Sequence, residues 1–309
     1  MRKTALEYVY SLAKRDNRVV FLGSDLSPDV LSDFKKEIPE RFFMEGIYEQ
    51  HLIGMAAGMA MEGMIPYVNT ISTFLTRRCF EQNVIDLGLH NLNVRLIGNG
   101  GGLVYAPLGP THLATDDIAI MRTIPNMTII AAADHEEISR IMPQTIDHKG
   151  PIYIRLTKGF DPVVTDKTKI TKIGKANQYF KKSNILIVTF GKTLEMCLNA
   201  AEHFRLKGIG ICVLHCSSIK PFDEIKLLEL SKNAKLIITV EEHSLIGGLK
   251  SIVSEILLTK LKKINFKFIS LGIKDEFIQN YGTQDELMKS QGLTSNNLIK
   301  LITKFLKGR

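Results

Sequence analysis

The feature that most constrains this chain is an alternation of short β-branched runs with stretches of helical length. In the first half NRVVFLGSD, IPYVNTIS, NVRLIGNGG, MTIIAAAD and PIYIRLTKG each read as a strand running into a polar loop, and a long helix is expected from about Phe74 to His90. Strands separated in this way need crossover connections, which are right-handed and cover both faces of a parallel sheet with helices. Ligands of such sheets bind beyond the carboxyl ends of the strands, so GSDLSPD, NTISTF, GNGGG and AAADHEE are expected on one rim. Residues 161–183 break the pattern and read as a linker. NILIVTFG, IGICVLHC, AKLIITVEEH and NFKFISLG then begin a second alternating unit. The expectation is an α/β protein with two open, mostly parallel sheets, in domains spanning 1–160 and 184–309.

Composition narrows the function classes. The net charge of +8 is uneven: residues 1–165 carry 16 Lys and Arg against 19 Asp and Glu, and residues 166–309 carry 24 against 13. The lysines of the second half are dispersed and lack interleaved aromatics, which reads as a solvated face rather than a nucleic-acid surface. No apolar run is long enough for a membrane span and the start, MRKTALEYVYSLAKRDNR, has no apolar signal region, so a cytoplasmic protein is expected. Cysteines 79, 197, 212 and 216 are scattered, unlike a disulfide framework. Cys212, His215 and Cys216 lack a second ligand pair at zinc spacing, so no metal site is assigned to the chain.

Two stretches carry candidate chemistry. GNGGGLVYAPLG matches neither common phosphate-loop pattern, because Pro107 and Pro110 interrupt the segment after it. It reads as backbone that passes close to something, ending in Gly109-Pro110-Thr111-His112. EGIYEQHLIGMAAGMAMEG, residues 45–63, sets Glu49, Gln50 and His51 at the mouth of a helix of small and apolar residues. Glycines at 54, 58 and 63 weaken a helix by about 1 kcal/mol each, which implies a close approach to its backbone. Taken singly, Glu49 is a first-turn glutamate favoured by the helix dipole, and His51 and His112 are ordinary loop histidines.

The combination is more specific. GIYEQHLIGMAAGMA resembles the glutamate-bearing signature of the pyrimidine-binding domain of the transketolase family, and its Glu-Gln-His triplet is similar to deoxyxylulose-phosphate synthases. STFLTRRCFEQ, GPTHLATDDIAIMRTIPNM, IYIRLTKG, SIKPFDE and TVEEHSLIGGLKS continue the resemblance in order along nearly the whole chain. The resemblance implies thiamine diphosphate and Mg2+ as cofactors, with Glu49 hydrogen-bonded to the pyrimidine ring. A carboxyl group among Gly, Ala, Met and Ile is poorly solvated, which suits a proton shared with that ring. It further implies Phe74 and Phe80 stacking on the pyrimidine, Asp25 near the cofactor, His112 at the sugar oxygens with His51 assisting, and Arg155, Lys158 and Arg77 near a substrate phosphate.

Two departures from the family pattern shape the expected function. No Gly-Asp-Gly motif is present, so the diphosphate and Mg2+ are expected to be held mainly by a separate N-terminal, diphosphate-binding subunit, in an α2β2 assembly. The stretch 98–109 contains no acid where relatives read a sugar hydroxyl with an aspartate, and Asn99 is the nearest polar substitute. The implied activity is transfer of a two-carbon ketol unit between sugar phosphates, with an unusual sugar among the candidates. The β subunit of a 2-oxo-acid dehydrogenase or related decarboxylating enzyme shares the domain pair and stands as the alternative. A non-catalytic assembly or regulatory homologue is the reading from a different class.

Overall fold

A computed structural model describes residues 1–25, 28–157 and 161–308. In chain order the strands are β1 (Val19–Gly23), β2 (Phe42–Met44), β3 (Ile65–Ile71), β4 (Arg95–Asn99), β5 (Thr128–Ala131), β6 (Ile152–Leu156), β7 (Asn177–Tyr179), β8 (Ile185–Thr189), β9 (Cys212–His215), β10 (Ser218–Lys220), β11 (Leu236–Ser244) and β12 (Lys267–Ile273). Among the described residues they form two α/β sheets, of seven strands in the order β10-β5-β6-β4-β3-β1-β2 and of five in the order β12-β11-β8-β9-β7. Each sheet is parallel except for one edge strand: β10 runs antiparallel to β5, and β7 antiparallel to β9. The β-branched runs become strands because they are buried on both faces; β1, β4, β6 and β8 have no exposed position.

Two short strands depart from the expected division. Asn177–Tyr179, inside the segment read as a linker, pairs with the second sheet. Ser218–Lys220, from the second half, completes the first. The apolar core is shared accordingly. One cluster joins Leu52, Val68 and Leu96 to Leu186, Leu214, Ile237 and Leu249, and another draws Leu103, Ala106 and Leu113 of the first half in among Ile187, Val213 and Val240. A fully buried leucine such as Leu103 contributes roughly 1.5–3 kcal/mol, so the loop that carries His112 is anchored by the second half's core.

Arg95 shows how an ionisable residue is tolerated inside a sheet. It is fully buried on β4, and its guanidinium donates to the carbonyls of Thr145 (2.7 Å), Gly150 (2.7 Å) and His148 (2.5 Å). Burial pulls its pKa down to about 10, which leaves it charged at neutral pH. It staples the loop at the sheet's amino end, away from the polar rim.

The long helix expected after β3 is present over residues 74–89 but is not regular. It opens with a widened π turn, Phe74–Arg78, and ends in another, Asn83–Leu89. The glycine run has a direct explanation: Tyr105, Arg155 and Glu242 crowd the backbone at Gly100, Gly101 and Gly102. Gly102 has φ +68°, and a Cβ there would lie 2.6 Å from the Glu242 carboxyl carbon. The glycines at 54, 58 and 63 differ, because among the described residues nothing beyond the adjoining backbone lies within 4 Å of a Cβ built on any of them. Among the described residues no helix is long and apolar enough to cross a membrane.

Gly102→Ala combines a left-handed backbone, which costs an L-residue roughly 1–2 kcal/mol, with a clash against a buried carboxylate. The variant is expected to lose more than about 2 kcal/mol of stability in urea unfolding. A neutral result would mean that the loop is free to shift.

Candidate active site

The polar groups expected on one rim do meet at the carboxyl ends of the central strands. The helix Glu49–Met61 starts there, and Glu49 in its first turn is 2% exposed. The neighbouring wall is the π turn that follows β3. From it Arg78 reaches back, placing Nη1 2.6 Å from Glu49 Oε2 and its guanidinium carbon 4.2 Å from the centre of the Phe74 ring. Gln50 Nε2 donates to the carbonyl of Arg78 at 3.1 Å, fixing the helix N-terminus to the π turn. Phe74 in turn meets the His112 ring edge-on, with centroids 5.1 Å apart, and Tyr105 flanks His112 at 6.5 Å. Glu49, Arg78, Phe74 and His112 are therefore one continuous constellation.

The loop bearing His112 is fastened from several sides. Thr73 Oγ1 donates to the His112 carbonyl at 3.1 Å, and the His112 Nδ1 lies 2.9 Å from Thr111 Oγ1. Arg77 grips both carboxylate oxygens of Asp116 through Nε at 2.9 Å and donates to the Leu113 carbonyl at 2.6 Å. From the second half, Glu242 accepts from the Leu103 amide at 2.8 Å, the Ser244 amide donates to the Thr115 carbonyl at 2.7 Å, and the Tyr281 ring lies against Gly109.

Other expected site residues are placed differently. Arg155 does not face a substrate phosphate: it is 5% exposed, paired through Nε to Asp117 Oδ2 at 2.7 Å, and donates from Nη2 to the Glu242 carbonyl at 3.0 Å. The ion pair and the carbonyl hold it inside the junction of the two halves. Arg77 is spent on Asp116 and Leu113. Lys158 lies outside the described residues. Phe80 packs, half-buried, against the apolar core. His51 is exposed at the rim, and Asp25 is an exposed acceptor for Ser24 Oγ at 3.0 Å. Asn99, the last residue of β4, is fully buried and donates to Asn69 Oδ1 at 2.7 Å. Arg78 was not anticipated; its signal was the four-residue spacing from Phe74, which puts two side chains of a helix on one face.

The junction holds a second unanticipated set of charges. Tyr153 OH and Arg155 both donate to Asp117. Glu241, Glu242 and His243 follow one another on β11, all buried. Glu137 and His215 make a fully buried pair across the halves at 2.8 Å. Burial alone would raise the Glu137 pKa, but the His215 charge offsets this and holds it below the ordinary carboxylate value. Glu241 accepts from the amides of Leu249 (2.6 Å) and Lys250 (2.8 Å) at the start of the helix Leu249–Lys260, yet burial pushes its pKa up to about 8. Among the described residues there is no group of three or more His, Cys, Asp or Glu side chains fit to hold a metal ion.

A buried carboxylate beside an aromatic face and a histidine, on the strand-end rim of a doubly covered α/β sheet with a second α/β unit clamped to it, defines a class of two-domain ligand-binding enzyme folds. The family models for "Transketolase, pyrimidine binding domain" and "Transketolase, C-terminal domain" match residues 1–160 and 174–298. The chain belongs to the transketolase family. It is 33% identical over 312 residues to a putative transketolase C-terminal section of Methanocaldococcus jannaschii, covering 99% of this chain and 96% of that protein. It is also 33% identical to one subunit of the apulose-4-phosphate transketolase of Phocaeicola vulgatus, over 99% of this chain and 97% of that one. A solved structure described as a split gene transketolase, inactive beta4 tetramer, superposes with a TM-score of 0.87 at 31% identity, covering 98% and 96% of the two chains.

Removing one partner of a buried pair typically costs about 3–5 kcal/mol, so Arg155→Ala should lose stability of that order in urea unfolding. Unchanged stability with a raised KM for a phosphorylated substrate would restore the phosphate role. For Glu241, a folded pKa near 8 against an ordinary 4.5 means that the native state binds the extra proton between those values. Stability should therefore fall as pH rises from about 4.5 to 8, by up to about 1.4 kcal/mol per pH unit from this group. Glu241→Gln should flatten that part of the Tm profile, and an unchanged slope would assign it to another group.

Proposed function

We propose that this chain is the pyrimidine-binding and C-terminal subunit of a split transketolase, transferring a two-carbon ketol unit between sugar phosphates together with a diphosphate-binding partner. The observation that carries this reading is Glu49: a carboxylate 2% exposed at a helix mouth on the strand-end rim, linked through Arg78 to the Phe74 ring. The end-to-end likeness to one protein named as a transketolase subunit and another named as a C-terminal section supports the division of the enzyme between two chains. The unusual sugar in the name of the Phocaeicola relative favours a substrate outside the common pentose phosphates.

The residues present fit an aminopyrimidine, since Glu49 offers an acceptor for a ring N–H and Phe74 a flat apolar face. Bound thiamine diphosphate would supply the carbanion-stabilising chemistry that no side chain here provides. Glu49 would hold a proton at the pyrimidine ring nitrogen, with its position fixed by the first turn of its helix. His112, edge-on to Phe74, would orient the sugar oxygens through its ring N–H, and the exposed His51 would assist. The Phe74 ring and the anchored 103–117 loop would keep water from one side of the reacting centre. The sequence holds no Gly-Asp-Gly motif, and in this reading the metal and the diphosphate are held mainly by the partner. Of the three cations expected at the substrate phosphate, Lys158 remains this chain's candidate.

An interface follows from the same assignment. Tyr48 (69%), Ile47 (61%), Met61 (55%) and Leu89 (70%) are exposed on or beside the two helices that frame Glu49, and an α2β2 assembly would cover them. In the assembled complex Glu49→Ala is expected to lower ketol transfer at least about 100-fold, measured with sugar phosphate donors in the presence of thiamine diphosphate and Mg2+. Full transfer by the variant would remove Glu49 from the mechanism. Release of CO2 from a 2-oxo acid would move the protein to the decarboxylating enzymes.

A further inference from the structure

Arg78 does something that no motif anticipated. A guanidinium is flat, delocalised and edged with N–H donors. Here its Nη1 donates to Glu49 Oε2 at 2.6 Å while its central carbon sits over the Phe74 ring, 4.2 Å from the centroid. An aminopyrimidine seated as proposed above would make the same two demands, an N–H toward Glu49 and a flat face against Phe74. One planar group can satisfy both at a time.

The local backbone explains how a side chain reaches this position and what freedom it keeps. Phe74–Arg78 is a π turn, a widened geometry that recurs at functional sites. Its adjacent arginines reach different partners, Arg77 to Asp116 and Leu113, Arg78 over Phe74 to Glu49. The main chain at Arg78 is tied down, because its carbonyl accepts from Gln50 Nε2. The side chain is not enclosed: it is 41% exposed, whereas the Glu49 side chain it pairs with is 2% exposed. Rotation of Arg78 toward solvent would uncover both Glu49 and Phe74 and leave the hydrogen bonds of the helix backbone in place.

We propose that Arg78 is a positioning residue that stands in for the cofactor's pyrimidine, holding the Glu49 carboxylate aimed and Phe74 covered until it is displaced outward. The proposal rests on the thiamine diphosphate reading. Its consequence is that cofactor affinity is lowered by the fraction of molecules in which Arg78 has already swung away. A merely neighbouring cation would do the opposite, attracting an anionic cofactor and strengthening its binding.

The test is thiamine diphosphate binding, with Mg2+, to the complex of this chain and its diphosphate-binding partner, by calorimetry and stopped-flow. Wild type is compared with Arg78→Ala and Arg78→Lys; lysine keeps the charge but cannot lie flat on Phe74. Both variants are expected to bind about tenfold more tightly, a difference of about 1.4 kcal/mol. Wild-type binding rates should level off with cofactor concentration, and those of the variants should rise linearly. If wild type binds and neither variant binds more tightly, the displacement idea is overturned while the cofactor reading stands. If wild-type complex does not bind thiamine diphosphate, the reading and the proposal fall together. Should the alanine variant melt early, the lysine variant decides.

Discussion

The ion pair between Arg155 and Asp117 is the contact on which the rest of this structure depends. Both groups are withdrawn from water, an expense that only close geometry and further hydrogen bonds offset. The geometry supplies them: Tyr153 donates to the same carboxylate oxygen, and Arg155 donates onward to the Glu242 carbonyl of the other half. The pair thereby joins β6 and the helix after the His112 loop to β11. The glycines at 101 and 102 leave room for this cluster, because Arg155 presses on the backbone at the first and Glu242 at the second.

That junction explains what the second half contributes to a rim built almost wholly by the first. Among the described contacts it touches none of Glu49, Arg78 or Phe74. It instead fixes the segment from Leu103 to Ala119 at both ends: Glu242 holds the Leu103 amide, and the Ser244 amide and His243 hold Thr115 and Ala119. A histidine on a surface loop would sample many orientations; one on a loop pinned into a neighbouring core has few. The second half thus acts on the site through the entropy of the His112 loop.

Much of this was legible in the sequence, for identifiable reasons. Strands buried on both faces leave unbroken β-branched runs, and a polar triplet ahead of small residues marked Glu49. What could not be read was decided by direction. Arg77 and Arg78 are chemically identical neighbours, and only their places on the helix, which send adjacent side chains in different directions, separate their destinations. An arginine at the end of a strand looks the same whether it faces a ligand or, like Arg155, a buried aspartate. The Glu-Glu-His run inside an otherwise apolar strand was the visible anomaly, because three consecutive titratable residues cannot be buried without partners. The strand Ser218–Lys220 was invisible, since three residues carry no period and its partner lies in the other half.

That small strand also bears on how the chain is made. Ser218 pairs with Ile130, so during synthesis the first sheet waits for much of the second half before β5 gains its last neighbour. Until then β5 offers a row of unpaired amides and carbonyls, the surface on which strands of different molecules pair. A fragment ending near residue 160 would carry that open edge permanently. The boundary between the two matched family domains is therefore a poor place to cut the polypeptide.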